Sequence, residues 1–189
     1  PGWSAYEAAL RSHIPFVTTY HGAYSGETGL KKRYNSVMAK GDLVIANSEW
    51  TAAHVMAVHE IPAEKIVTIP RGVDFETFNP AVVTPEQIDA VRSDWGLLPD
   101  DDRLRLVLPG RPTRWKGQAL AIDAPGAPDV SERAGLHLIL TGDAQGREKY
   151  VRELEDKIIA PELGGTASIV RHTSGMAAAY ALADTVLAP

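Results

Sequence analysis

Short apolar runs alternate along this chain with longer stretches whose apolar residues recur every three or four positions. Pro15-Phe16-Val17-Thr18-Thr19-Tyr20, rich in β-branched and aromatic residues, predicts a strand. Leu30, Tyr34, Val37 and Met38 follow at helical spacing, and Gly41 stands where a glycine past the C-terminus would stop that helix. Leu43-Val44-Ile45-Ala46 and Ile66-Val67-Thr68-Ile69 predict two more strands. Between them Ser48 is placed to cap a helix carrying Ala52, Val55 and Met56. The alternation then resumes. Thr84-Pro85-Glu86-Gln87 combines a cap, a proline at the first helical position and a capping-box partner, ahead of Ile88, Val91 and Trp95. Strands are predicted at 104–108, 136–140, 167–170 and 185–187. Helices are predicted from about residue 117, along the stripe Tyr150, Val151, Leu154, Ile158, and through the Ala-rich run Met176 to Ala183.

Short strands separated by helices predict an α/β fold with parallel sheets covered on both faces. The run Pro70-Arg71-Gly72-Val73-Asp74-Phe75 through Pro80 lacks periodicity and predicts a connection between two units, 1–72 and 73–189. Three strands precede it and four follow. Doubly wound units have about five or six strands, so both units read as incomplete.

Composition narrows the function classes. A net charge of -5 argues against a general nucleic-acid binder. No apolar run approaches the ~20 residues that span a bilayer. The chain contains no cysteine, which excludes disulfides, thiolate metal sites and Cys nucleophiles and agrees with a reducing cytoplasm. It opens Pro1-Gly2-Trp3, with no basic and apolar leader pattern.

Against that acidic background one loop is basic. From Arg103 to Gly117 there are five cations (Arg103, Arg105, Arg111, Arg114, Lys116) and no acid. Gly110-Arg111-Pro112-Thr113-Arg114-Trp115-Lys116-Gly117 joins a strand end to a helix start. A glycine-flanked turn with fixed cations at that place suits phosphate: Arg for two oxygens at once, Lys as a compact charge. The competing reading is a solvated basic turn with Trp115 covering a sheet edge.

Three other strand ends carry candidates. His21 follows the first strand and precedes a Gly-rich turn, Gly22 to Gly26. Thr141-Gly142-Asp143-Ala144-Gln145-Gly146-Arg147 does not match Gly-x-Gly-x-x-Gly and is poor evidence for a nicotinamide cofactor. Arg171-His172-Thr173-Ser174-Gly175 could receive a base or ribose, or be an ordinary surface loop. Asp100-Asp101-Asp102 beside Pro99 reads as a solvated turn, and His13 and His137 have no partner in sequence. His54 and His59 are spaced wrongly for a metal pair. The residues suggest neither a metal site nor a Ser-His-Asp arrangement.

Taken in order, several segments resemble the family-4 glycosyltransferases of the GT-B fold. They are Thr18-Thr19-Tyr20-His21-Gly22, Val44-Ile45-Ala46-Asn47-Ser48, Ile69-Pro70-Arg71-Gly72-Val73-Asp74, Gly110-Arg111 with Lys116-Gly117, Leu138-Ile139-Leu140-Thr141-Gly142-Asp143 and Tyr180-Ala181-Leu182-Ala183-Asp184. The resemblance implies two Rossmann-like units: an acceptor-side one over 1–72 and a nucleotide-sugar donor unit over 73–189. It implies metal-independent transfer, with retention, from a nucleotide-diphosphate sugar to a glycan or glycolipid, in the cytoplasm or at the inner face of a bacterial membrane. Arg111 and Lys116 would hold the donor diphosphate beside Gly110. His21 would be the cleft histidine near the transferred sugar. Gly142, Asp143, Arg171 and His172 would line the nucleotide. Arg71 stands where many relatives have Asn. No cofactor beyond the donor is implied. The family's Glu-rich motif and its opening Gly-rich turn are not in the sequence, so the chain reads as an interior stretch, inactive by itself. Asp123 to Pro128 puts two prolines where a longer helix was expected. A sugar-nucleotide epimerase of the same fold, and a non-catalytic sugar-nucleotide or partner-binding module, are the alternatives.

Overall fold

The computed structural model describes residues 2–22, 29–124, 135–160 and 165–188. Parts of the turns at 22–26 and 123–128, and Pro189, lie outside them. The chain divides into two compact units, Pro1–Val73 and Asp74–Pro189.

The first unit runs α1 (Gly2–Ser12), β1 (Val17–Tyr20), α2 (Gly29–Asn35), β2 (Leu43–Ala46), α3 (Glu49–His59) and β3 (Ile66–Thr68). Its three strands pair in parallel in the order β1-β2-β3. Val44 and Ala46 point one way from β2 and are fully buried; Val44 packs with Tyr20, Ala39 and Val55. Ser48 caps α3 as expected, its hydroxyl accepting from the Thr51 N–H at 3.1 Å.

Two features of this unit differ from the sequence reading. Helix α1 was not predicted; it buries no residue, and Trp3 and Tyr6 hold it at the edge through a bond to the Tyr34 carbonyl and a ring contact with Phe16. Gly41 is not a helix-stopping glycine, because it does not adopt a positive φ. It is required for space: a Cβ there would lie 2.6 Å from the Leu43 carbonyl oxygen and 2.8 Å from Thr18 Oγ1.

The second unit runs α4 (Pro85–Asp94), β4 (Leu104–Pro109), α5 (Gln118–Asp123), β5 (Leu136–Thr141), α6 (Glu148–Ile158), β6 (Ala167–Val170), α7 (Met176–Leu182) and β7 (Thr185–Val186). The capping box on α4 forms in full, with Thr84 and Gln87 exchanging hydrogen bonds. All four strands are parallel, in the order β6-β5-β4-β7. Alternation along β4 and β5 divides the core between two faces. Val107 and Ile139 meet Val91, Trp95, Ala179 and Leu182 of α4 and α7. Leu108, Leu138 and Leu140 meet Ile122, Tyr150 and Leu154 of α5 and α6. The expected α/β class, with helices on both faces of parallel strands, is therefore what forms.

The order also places a switch point. The first strand of this unit, β4, lies between β5 and β7, so the chain leaves it to one side and later returns on the other. Ligands of open parallel sheets bind outside the carboxyl ends of the strands at such a point. The basic loop follows β4 there.

Candidate functional site

At the carboxyl ends of β4, β5 and β6 is a cleft of about 390 Å³. Gly110, Arg111, Gly142, Asp143, Gln145, His172 and Tyr180 are among its lining residues. Five of the residues singled out in the sequence thus share one cavity. Two loops meet closely at its floor. The Gly110 N–H donates to the Thr141 carbonyl at 2.8 Å. A Cβ on Gly142 would lie 2.1 Å from the Gly110 carbonyl oxygen, so only glycine fits. Gly110 itself has φ of 147°, in the region that favours glycine.

The loop after β4 is braced from below by a residue the sequence reading passed over. Gln118, at the start of α5, is 2% exposed. Its Nε2 donates to the Arg111 carbonyl at 3.0 Å and its Oε1 accepts from the Thr113 N–H at 3.4 Å. Nothing in the pattern around Gln118 marked it as buried. Across the cleft, Trp95 Nε1 and Thr141 Oγ1 both donate to the Arg171 carbonyl, at 3.1 and 3.2 Å, fixing the turn that carries His172. Arg171 is not among the residues lining this cleft; it lines a neighbouring one of about 310 Å³ with Asp94, Trp95 and Thr173, and His172 borders both.

Charge pairing separates the five cations. Arg103 is bound to Asp101 (2.6 Å), Arg105 to Asp184 (3.1 Å) and Arg114 to Glu153 (2.5 Å). Among the described residues, Arg111 and Lys116 have no carboxylate partner. The Arg111 guanidinium instead donates to Gln145 Oε1 at 3.2 Å. Lys116 is not among the cleft-lining residues; its ammonium sits 4.6 Å from the centre of the Trp115 ring. Trp115 is 72% exposed, so it does not cover the sheet edge.

In the first unit, His21 follows β1, and its surroundings come from the neighbouring strand ends. Asn47 Nδ2, after β2, donates to the His21 carbonyl at 3.0 Å. Arg71, after β3, donates from Nη2 to His21 Nδ1 at 3.1 Å. Since a guanidinium only donates, Nδ1 accepts and the ring proton of neutral His21 lies on Nε2. His21 is exposed.

The Asp100–Asp102 turn and His137 depart from the sequence reading. Asp101 is not solvated: its side chain is 13% exposed and its carboxylate lies 3.5 Å from His137 Nδ1. The hydrogen bond from Arg103 holds that carboxyl well below the usual carboxylate range. His137, at the amino end of β5, also meets Ser168 Oγ at 2.9 Å. This Ser-His-Asp grouping sits at the strand end opposite the cleft, and sequence spacing gave no sign of it. Burial and the nearby guanidinium push the His137 imidazole below its ordinary pKa. Among the described residues no group of three or more His, Asp or Glu could hold a metal ion.

Known proteins resemble this chain in sequence and in fold. The model of Glycosyltransferase Family 4 matches residues 1–77, which contain the whole of the first unit. That unit is thus similar to glycosyltransferase family 4. The likeness extends through the second unit. The D-inositol 3-phosphate glycosyltransferase of Xylanimonas cellulosilytica is 28% identical over 211 residues, covering 100% of this chain and 47% of that protein. A glycosyltransferase from Rickettsia africae superposes with a TM-score of 0.81 at 28% identity, over 100% of this chain and 48% of its own. Anabaena Alr3699/HepE, solved in complex with UDP and glucose, shares the fold with a TM-score of 0.79 at 24% identity, over 98% of this chain and 49% of its own. The chain thus spans about half the length of these glycosyltransferase relatives. Its two parallel sheets are those of the GT-B fold.

Proposed function

We propose that the protein to which this chain belongs transfers a sugar, with retention and without a metal, from a nucleotide-diphosphate donor to a glycan or glycolipid. The observation that carries this reading is Arg111: a cation without a carboxylate partner among the described residues, at the switch-point cleft, on a loop braced by Gln118. As the glycosidic bond breaks, charge grows on the departing diphosphate and the sugar becomes oxocarbenium-like. A guanidinium fixed there stabilises that charge without reorganising. Lys116, the other cation of the basic segment without a carboxylate partner among the described residues, serves as a second donor to the diphosphate. Gly142, Asp143, Arg171 and His172 line the nucleotide. With its proton on Nε2, His21 offers a hydrogen bond to a sugar or acceptor oxygen. The acceptor hydroxyl attacks the face the diphosphate leaves, with a phosphate oxygen as base.

The enzyme works in the cytoplasm and touches the inner face of the membrane, on cell-envelope or exported polysaccharide. Helix α2 supports such contact: Leu30 (83% exposed) and Tyr34 (64%) bracket Lys31, Lys32 and Arg33, an apolar and basic surface suited to anionic lipid. Among the described residues no helix is long and apolar enough to cross a membrane.

The test is turnover by the full-length protein, with UDP-glucose as the first donor tried. Arg111→Ala and Lys116→Ala should each lower kcat/KM roughly 100- to 1000-fold, about 3–4 kcal/mol of barrier. Unchanged turnover in both variants would remove the diphosphate assignment. Donor binding with no turnover in wild type would favour the non-catalytic binding module.

A further inference from the structure

We infer that Gln145 is a positioning residue for Arg111, holding the guanidinium across the cleft without consuming its charge. This rests on reading the cleft as a diphosphate site. The observation is a contrast among the arginines of the basic segment. Arg103, Arg105 and Arg114 each lie against a carboxylate, and each is thereby oriented and neutralised. Arg111, the arginine that lines the cleft, is oriented by an amide oxygen, which leaves its full positive charge for an anion.

The backbone under Gln145 is arranged to keep the amide in place. Gln145 has φ of 47°, the left-handed region that a residue with a side chain seldom adopts. Two other described non-glycine residues do so: Glu60, the C-cap of α3, and His13, which follows α1. Gln145 caps no helix. Its N–H donates to Asp143 Oδ1 at 3.1 Å, and its carbonyl accepts from Arg147 Nη1 at 3.3 Å. Gly146 follows at φ of 82°. The strained turn therefore aims the one side chain that meets Arg111 from the opposite loop. Phosphate oxygens entering the cleft meet a guanidinium already held in place, with nitrogens to spare for a bidentate contact.

The experiment is calorimetric titration of the full-length protein with inorganic pyrophosphate and with UDP at two salt concentrations. It compares wild type, Gln145→Glu and Gln145→Met. Gln145→Glu keeps the shape and the turn but turns the hydrogen bond into an ion pair. It should weaken pyrophosphate binding about 10- to 100-fold and flatten its salt dependence. Gln145→Met keeps the length but removes the acceptor, and should weaken binding about 3- to 10-fold with the salt dependence retained. A purely structural role for Gln145 would leave the near-isosteric Glu variant binding like wild type. Wild-type binding matched within twofold by Gln145→Glu overturns this inference alone. Wild type that binds neither pyrophosphate nor UDP overturns the diphosphate reading and this inference with it. Should Gln145→Glu fail to fold by circular dichroism, Gln145→Met decides: binding equal to wild type overturns the proposal.

Discussion

Gly142→Ala puts the cleft to a quantitative test. The added Cβ would lie 2.1 Å from the Gly110 carbonyl oxygen, 2.6 Å from its carbon and 3.2 Å from the Arg111 nitrogen. Ordinary contact lies more than about 1 Å farther out. The obstruction is backbone, so no side-chain rotation relieves it. It is also backbone under tension from both sides: Gly110 N–H is tied to Thr141, and the Arg111 carbonyl to Gln118. Relief must move the loop after β4 by roughly 1 Å, at about 1–3 kcal/mol for overpacking. The same movement displaces Arg111, and a misplacement of that size costs about 100-fold in rate. Gly135→Ala is the control, because a Cβ there meets nothing within 4 Å and Gly135 has no positive φ. Urea unfolding and pyrophosphate titration should be run on both variants of the full-length protein. Gly142→Ala should lose stability and about tenfold or more in binding, with Gly135→Ala within about 0.5 kcal/mol of wild type. Equal stability and equal binding in the two variants would refute the close approach and its role in placing Arg111.

Two further outcomes follow from buried polar groups. Gln118→Leu keeps the volume but leaves the Arg111 carbonyl and the Thr113 N–H without their partner, so it should cost about 1–3 kcal/mol in urea unfolding and weaken pyrophosphate binding. A loss of stability without a loss of binding would show that the brace does not reach the cation. His137 predicts a pH dependence. Its folded pKa is depressed by burial and by Arg103, so the unfolded chain binds the extra proton first as pH falls. Its contribution is complete above about pH 6.5 and is lost as pH drops through the lower folded value. His59, also depressed by burial and by Lys32, acts in the same direction, so the difference between wild type and His137→Asn isolates His137. Unfolding midpoints at pH 8 and pH 5.5 should converge between the two proteins at the acid end. A constant gap would refute the linkage.

The strands were legible because each is a short apolar run bounded by turn residues. All seven lie within a residue or two of where the pattern put them. The caps at Ser48 and Thr84 were legible for a similar reason, since a cap is a local exchange between residues three apart. What escaped the sequence was set by distant partners. Helix α1 buries no residue, so no stripe announced it. Gly41 read as a helix stop because its sequence neighbours suggested one. Its real constraint is contact with Phe16, Thr18 and Leu43 across the turn. His137 looked alone because its partners, Asp101 and Ser168, lie on other segments.

The basic loop shows the same division at the level of function. Counting charges from Arg103 to Gly117 singled out one segment but could not rank its members, because composition treats five cations alike. Pairing ranks them. The partners that neutralise three of the five come from outside the loop: Asp101 just before it, Glu153 on α6 and Asp184 before β7. Within this segment the three paired arginines are thereby tied to the scaffold. A cation that lines a cleft and is met there by an amide is therefore the informative case. An unpaired guanidinium in that position contributes little to the fold, since even exposed ion pairs add only about 0–1 kcal/mol. Removing Arg111 should accordingly leave the unfolding midpoint nearly unchanged while abolishing most of the activity. Asp101→Asn should do the reverse, lowering the midpoint with pyrophosphate binding intact. If both substitutions move both quantities together, pairing does not separate scaffold from site, and the ranking of Arg111 above its neighbours fails.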